Sequence, residues 1–300
     1  MATLKRKLAV TALALAATAG GIELLASANL RREQAARAYL GDKLYVRSRG
    51  EGAPIVFLAG LQASTEFWQD RFDALDRDHR LIFVDAHGFG HSPWPDLRYT
   101  LEDHLGALRR TLVAQGATSH VTIVAHSLGT IFAANYAARY PGEIDRVVLL
   151  GTPVFSGEKE ARKRLWQVSP LAAMFSLHWL LARETCMTMG AFRPLLRRVL
   201  PSLEPDLPRG VVSDAVLHCW PAIDGTLRNV LLAKPIAVPL RRIGPKVTFI
   251  HGSADAVTPL PQIRRLAGEI GARLLVTAND HRRYVLDSHE EILGALETTE

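Results

Sequence analysis

From residue 43 onward, short apolar runs alternate with segments of helical spacing, and this alternation restricts the fold more than any other feature of the chain. A half-buried strand pattern at 44–50 precedes a continuous apolar run at 54–58 and short, mostly apolar runs at 81–84, 120–124, 146–150, 246–250 and 273–276. Such runs are typical of strands covered on both faces. Helical spacing occurs at 101–115, 130–140, 261–270 and 288–296. Strands that alternate with helices predict an α/β fold with a mostly parallel, doubly wound sheet.

One interval, residues 155–245, breaks this rhythm. It shows no strand pattern, and prolines such as Pro170, Pro194 and Pro221 separate its apolar segments. The interval is too long for a simple loop and too apolar for disorder. We therefore expect a helical lid at 155–245, inserted between two parts of one core at 40–154 and 246–300.

Within the expected lid, residues 171–181 are apolar almost all round. Three interpretations stay open: a helix packed between the core and its neighbours, an apolar acyl pocket, or a surface that faces a membrane. Packing is favoured because large apolar side chains are usually buried. The nearby basic residues that suit an anionic lipid surface are Lys159, Arg162, Lys163, Arg164, Arg193, Arg197 and Arg198.

The first thirty residues have a pattern of their own. Three basic residues at 5–7 precede an uncharged stretch at 8–22, and Ala26-Ser27-Ala28 offers a site for signal cleavage. Residues 8–28 are also long enough to cross a bilayer as one helix. We expect an N-terminal hydrophobic helix at 1–30 that acts as a signal peptide or a membrane anchor, and a protein that is exported or attached to a membrane. The sequence leaves open whether the segment is cleaved.

Several classes of partner are not indicated. The net charge of +6 is mildly basic, but no run of five like charges and no aromatic-basic repeat points to nucleic acid. The histidines lack metal-ligand spacing, and the glycines after the strand at 81–84 do not match a dinucleotide fingerprint, so we predict no metal and no cofactor. Two cysteines, Cys186 and Cys219, are too few for a disulfide scaffold; a single disulfide after export and two free thiols both stay open.

Ser127 lies where the strand at 120–124 turns into a helix that begins near Leu128. Ligands of open α/β sheets bind beyond the carboxyl ends of the strands. A sharp strand-to-helix turn would expose the hydroxyl, and it requires small residues two positions away, which Ala125 and Gly129 supply. A serine at this position can also be a plain helix N-cap.

From 43 to 296 the chain resembles the α/β-hydrolase superfamily, in its serine-nucleophile, lid-containing branch of esterases and lipases. The motifs that carry the resemblance are Ala59-Gly60-Leu61 after the second strand, the turn at 85–92, the elbow at 124–136, His251-Gly252-Ser253-Ala254-Asp255, and Asn279-Asp280-His281. Four positions depart from the family pattern: Ala59 replaces a histidine, Ala125 and Asp280 replace glycines, and Ser288 stands where a proline is common.

The resemblance implies a catalytic triad of Ser127, Asp255 and His281, with backbone N–H groups of Leu61 and Leu128 as the oxyanion hole. It favours His281 over His289 as the base. His126 is expected to pack or to hydrogen-bond locally.

These residues imply a serine hydrolase that cleaves a carboxylic ester or related acyl bond through an acyl-enzyme, with an apolar small molecule as its acyl substrate. Alternatives on the same fold are a cofactor-free haloperoxidase-like enzyme, a carbon–carbon bond hydrolase and a non-catalytic ligand-binding protein.

Overall fold

A seven-stranded sheet forms the centre of the computed structural model, which describes residues 2–233 and 235–297, with the backbone alone for 2–17, 172 and 297. The strands are β1 Val46–Arg49, β2 Ala53–Leu58, β3 His79–Val84, β4 Val121–His126, β5 Ile144–Leu150, β6 Val247–Gly252 and β7 Arg273–Thr277. Their order is β1-β3-β2-β4-β5-β6-β7, with β1 antiparallel to β3 and the other pairs parallel. The predicted mostly parallel sheet is confirmed.

Thirteen α-helices are described besides short 3₁₀ and π turns. They are α1 Ala2–Arg37, α2 Leu101–Ala114, α3 Leu128–Arg139, α4 Glu158–Val168, α5 Pro170–Leu177, α6 Trp179–Ala191, α7 Arg193–Leu203, α8 Arg209–Asp214, α9 Trp220–Thr226, α10 Ala237–Ile243, α11 Leu260–Ile270, α12 Tyr284–Asp287 and α13 His289–Glu297. The last predicted helix, at 288–296, corresponds to α13.

Alternate residues of the strands pack on opposite faces of the sheet. In β2, Val56 and Leu58 join an apolar cluster with α2, α3, α10 and α11, whereas Ile55 and Phe57 join a second cluster with α12, α13 and the turns at 65–77. Because both faces are covered, the strand needs an apolar residue at every position. This arrangement explains the continuous apolar run at 54–58.

Residues 155–245, which we call the lid segment, contain α4 to α10. No strand occurs in its described part, although His218 forms an isolated antiparallel bridge with Phe89. The helices follow one another closely: α4 packs on α5, α5 on α6, and α7 on α8.

Helix α1 continues to Arg37, past the boundary that we placed at residue 30. Its C-terminal part packs on α6, and the Asn29 amide donates hydrogen bonds to the carbonyls of Gly190 and Ala191, each at 3.0 Å. The Arg37 guanidinium lies 4.3 Å above the Trp94 ring. These long-range contacts stabilise the additional turns.

Within the part of the chain that the structure describes, no helix combines the length and the apolar character needed to span a bilayer. The predicted segment at 8–28 lies partly outside the residues whose side chains are described.

Candidate active site

Ser127 occupies a sharp turn between β4 and α3. Its backbone has φ 50° and ψ −117°, in the left-handed region that non-glycine residues rarely adopt. A Cβ at Gly129 would lie only 2.4 Å from the carbonyl oxygen of Leu58, so the helix can approach β2 this closely only with glycine at that position. The Ser127 side chain makes no N-cap hydrogen bond, which excludes the plain capping role considered for it.

The structure brings Ser127, Asp255 and His281 together at the carboxyl ends of β4, β6 and β7. His281 Nε2 lies 2.9 Å from Ser127 Oγ, and His281 Nδ1 lies 2.8 Å from Asp255 Oδ2. With a proton on Nδ1 donated to the carboxylate, Nε2 offers its lone pair to the serine hydroxyl. This is the geometry of a nucleophile, its base and the group that orients the base.

Asp255 is buried but receives many hydrogen bonds. The N–H groups of Val257 and Thr258 donate to Oδ1, and the Thr258 hydroxyl donates to Oδ2 at 2.6 Å. Burial by itself would raise the pKa of Asp255, but the bonds from His281 and Thr258 hold that pKa well below its usual range. The group is therefore a carboxylate near neutral pH, as an orienting partner for His281 must be.

Tyr284 is a site residue that the sequence did not reveal. Its hydroxyl donates to Asp255 Oδ2 at 2.9 Å and accepts the N–H of Gly252 at 2.8 Å, so it joins the carboxylate to the end of β6. The side chain is fully buried. Tyr284 follows His281 by three residues, but no motif marks a tyrosine there, and the sequence offered no signal for it.

His126 has a different role from the local one that we expected. Its Nε2 donates to the backbone carbonyl of His281 at 2.9 Å, across 155 residues of sequence. The imidazole also stacks on Phe67, with ring centroids 4.6 Å apart. Burial lowers the pKa of His126 to about 3, so the ring is neutral at pH 7, and the hydrogen bond to the His281 carbonyl places its one proton on Nε2. His126 thereby holds the loop that carries His281.

The loop after β2 lies directly against the nucleophile. A Cβ placed on Gly60 would be 3.2 Å from Cβ of Ser127, and the next residue is Leu61. Leu128 is the first residue of α3, and N–H groups in the first turn of a helix have no intrahelical acceptor. Leu61 therefore follows a loop residue that lies against Ser127, and Leu128 begins the helix directly after Ser127.

Residues of the lid segment contact the loop that follows β2. Gln62 has φ 60°, and its Nε2 lies 3.2 Å from Nε2 of His218. The Ser64 hydroxyl donates to Asp214 Oδ2 at 2.9 Å. These contacts support a loop in which Ala59 replaces the bracing histidine of the family.

The remaining candidate groups lie away from the triad. His289 donates to the carbonyl of Arg71, and His104 Nε2 lies 2.9 Å from the Thr226 hydroxyl. Cys186 and Cys219 are free thiols in the structure, which favours two free thiols over a disulfide between them. Across 2–233 and 235–297, no group of three or more histidine, cysteine or acidic side chains is arranged to hold a metal ion.

Comparison with known proteins gives a consistent result. The sequence model of the alpha/beta hydrolase fold matches residues 53–289. The chain is 34% identical over 266 residues to "Probable lysophospholipase BODYGUARD 4" of Arabidopsis thaliana, a match that covers 81% of this chain and 63% of that protein. The chain thus spans less than two thirds of this relative.

Solved structures agree on the fold. The enol-lactonase from Burkholderia xenovorans superposes with a TM-score of 0.66 at 21% identity, covering 85% of this chain and 96% of that one. The bromoperoxidase from Bacillus anthracis superposes with a TM-score of 0.65 at 20% identity, covering 85% and 95%.

Proposed function

The chain belongs to the α/β-hydrolase fold family, and we propose that it is a serine hydrolase that cleaves a carboxylic ester or a related acyl bond. The observation that carries the proposal is the pair of contacts made by His281, to Ser127 Oγ at 2.9 Å and to Asp255 Oδ2 at 2.8 Å. A serine hydroxyl becomes an effective nucleophile when a positioned base accepts its proton.

In the proposed reaction, Ser127 Oγ attacks the acyl carbonyl as its proton passes to His281 Nε2. The tetrahedral oxyanion accepts hydrogen bonds from the N–H groups of Leu61 and Leu128, and each such donor contributes about 10²- to 10³-fold to the rate. His281 then protonates the leaving alcohol, which leaves an acyl-enzyme on Ser127. A water molecule, deprotonated by His281, releases the acid. Asp255 stabilises the imidazolium in both steps.

The substrate class is proposed on the resemblance to the probable lysophospholipase named above, together with the exposed apolar side chains of the lid segment. We expect an ester of a long, apolar acyl chain, such as a lysophospholipid. The apolar stretch at 8–22 further supports the proposal that the protein is exported or attached to a membrane. The mass of the mature N-terminal peptide distinguishes a cleaved signal from a retained anchor.

The test is a chain-length series of p-nitrophenyl esters together with a lysophospholipid, assayed with the full chain. We expect kcat/KM to rise with acyl length and to fall by at least 10³-fold in Ser127→Ala. Ser253→Ala, a change at a serine outside the triad, serves as the control and should leave kcat/KM within about twofold. Equal activity of the native protein and Ser127→Ala would contradict the proposal.

A further inference from the structure

Among the residues whose side chains are described, most of the large exposed apolar side chains lie on α1 and on the helices α4 to α7. Of seventeen large apolar side chains that are exposed among the described residues, eleven belong to these helices, and a twelfth, Phe192, lies between α6 and α7. They are Leu24, Leu25, Trp166, Val168, Leu171, Phe175, Trp179, Leu180, Phe192, Leu195, Val199 and Leu203. Exposed apolar side chains that are concentrated in one part of a protein, rather than scattered singly, indicate an interaction surface. We call the ten members from 166 to 203 the apolar lid face.

The spacing of these residues makes continuous stripes. Leu171 and Phe175 are four residues apart on α5, and Leu195, Val199 and Leu203 follow one another at the same interval on α7. Residues four apart share one face of a helix. Leu171 is 64% exposed and Leu203 is 68% exposed, so the structure leaves these stripes uncovered.

Helices α4 to α7 also carry an excess of positive charge. Residues 158–203 contain eight basic and three acidic side chains, a net charge of +5 against +6 for the whole chain. Lys159, Lys163 and Arg198 are exposed, and none has an acidic partner within ion-pair distance in the described part of the chain. Exposed cations beside apolar stripes favour an anionic lipid surface over a neutral protein surface.

Two tryptophans strengthen this choice of partner. Trp166 is 45% exposed on α4, and Trp179 is 58% exposed on α6. Tryptophan is enriched where a protein meets the interface between lipid headgroups and acyl chains, because its ring is apolar and its N–H is polar.

Helix α1 connects the apolar lid face to the uncharged N-terminal stretch. The Glu23 carboxylate pairs with Arg183 of α6, and Ala26 is buried with its Cβ 3.6 Å from the position that a Cβ on Gly190 would take. Leu24 and Leu25, which are exposed, therefore lie on a helix that packs directly against α6. The uncharged stretch at 8–22 precedes them in the same helix.

We propose that the apolar lid face, with Leu24 and Leu25 of α1, docks on an anionic lipid bilayer, with Trp166 and Trp179 at the depth of the headgroups. This contact is separate from insertion of residues 8–22, and it does not depend on the hydrolase activity. It orients the lid segment, in which His218 and Asp214 contact the loop after β2, toward the lipid.

The test uses the full chain as Ser127→Ala, so that lipid is bound without turnover, and vesicles of phosphatidylcholine with or without phosphatidylglycerol. Brominated acyl chains in the vesicles quench tryptophans at the bilayer. Trp68 and Trp94 are buried and Trp220 is half-buried; these three tryptophans are present in every variant and supply the constant background. We expect anionic vesicles to quench the tryptophan fluorescence. In Trp166→Phe/Trp179→Phe, the quenched fraction of the fluorescence should fall at least threefold, even where residues 8–22 keep the protein on the vesicles.

A charge variant gives a second readout. Lys159→Gln/Lys163→Gln/Arg198→Gln should lower the partition coefficient for anionic vesicles at least tenfold. A matched variant at exposed arginines of α10 and α11, Arg242→Gln/Arg264→Gln/Arg265→Gln, should change it less than threefold. Vesicle-bound protein without quenching would overturn the proposal, and so would equal effects of the two charge variants. Self-association that depends on Leu171 and Leu195, with no quenching, would assign the face to a second copy of the chain instead.

Discussion

His126→Phe is expected to lower kcat without altering substrate binding, because His126 holds the backbone of the loop that carries the base. The change removes the hydrogen bond from Nε2 to the His281 carbonyl, 2.9 Å long, and keeps an aromatic ring against Phe67. A buried hydrogen bond contributes about 1 kcal/mol, and a buried acceptor left unpaired costs about 1–3 kcal/mol. The free energy of unfolding should therefore fall by about 1–3 kcal/mol.

The effect on catalysis follows from the position of His281. Without its partner at the carbonyl, the loop can shift the imidazole relative to Ser127, and a displacement of about 1 Å costs up to about 10²-fold in rate. We expect kcat for a p-nitrophenyl ester to fall about ten- to a hundredfold, with KM changed less than twofold. His126→Gln, whose side-chain amide can reach the same carbonyl, should recover part of the loss.

The chain offers a matched control in His104. It is also buried, it stacks on Phe132 with centroids 4.6 Å apart, and it makes a hydrogen bond of 2.9 Å to Thr226, but it lies away from the triad. His104→Phe should destabilise the protein by a similar amount and leave kcat within about twofold. If both variants lose the same fraction of kcat, or if His126→Gln recovers nothing, His126 is only a packing residue and the reasoning is refuted.

Three further predictions concern the buried network, its pH dependence and the thiols. Tyr284→Phe leaves the Gly252 N–H unpaired and removes one hydrogen-bond donor from Asp255. The free energy of unfolding, measured in urea, should therefore fall by about 2–4 kcal/mol. An unchanged urea midpoint would contradict the two assigned hydrogen bonds. Burial lowers the pKa of His104 from 6.5 to about 3, so its contribution to the free energy of unfolding is present above pH 6.5 and is lost as the pH falls, by at most about 1.4 kcal/mol per pH unit. His104→Phe should therefore flatten the decline of the free energy of unfolding between pH 6 and 4. An unchanged slope would show that His104 does not cause the decline. Burial raises the pKa of Cys186 to about 12, so Ellman's reagent should find no fast-reacting thiol in the folded protein at pH 8. After unfolding without reductant, it should find two thiols, Cys186 and Cys219. If it finds no thiol after unfolding, the two cysteines form a disulfide.

The sheet and the three triad positions could be predicted because they depend on patterns that the chain displays locally. A strand buried on both faces needs an apolar residue at every position, which the run at 54–58 shows before any partner is known. Ser127 stands out because the elbow needs glycine at 129, where a Cβ would contact the backbone of β2. Asp255 and His281 follow from the order of the family's motifs after β6 and β7.

The supporting residues could not be predicted, because their partners are distant in sequence. Tyr284 contacts Asp255 from 29 residues away, and His126 contacts the His281 carbonyl from 155 residues away. Neither residue type has a preferred spacing from its partner, so only the folded chain reveals the contact. The extension of α1 to Arg37 has the same cause, since it depends on Trp94 and on the carbonyl of Gly90.

The central claim is that the fold activates one serine. A fluorophosphonate probe forms a covalent adduct with a serine that a neighbouring base activates, and peptide mass spectrometry locates the adduct. We predict one adduct per folded chain, on the peptide that contains Ser127, and no adduct in Ser127→Ala or after unfolding. A folded protein that stays unlabelled, or an adduct on another serine, would contradict the account.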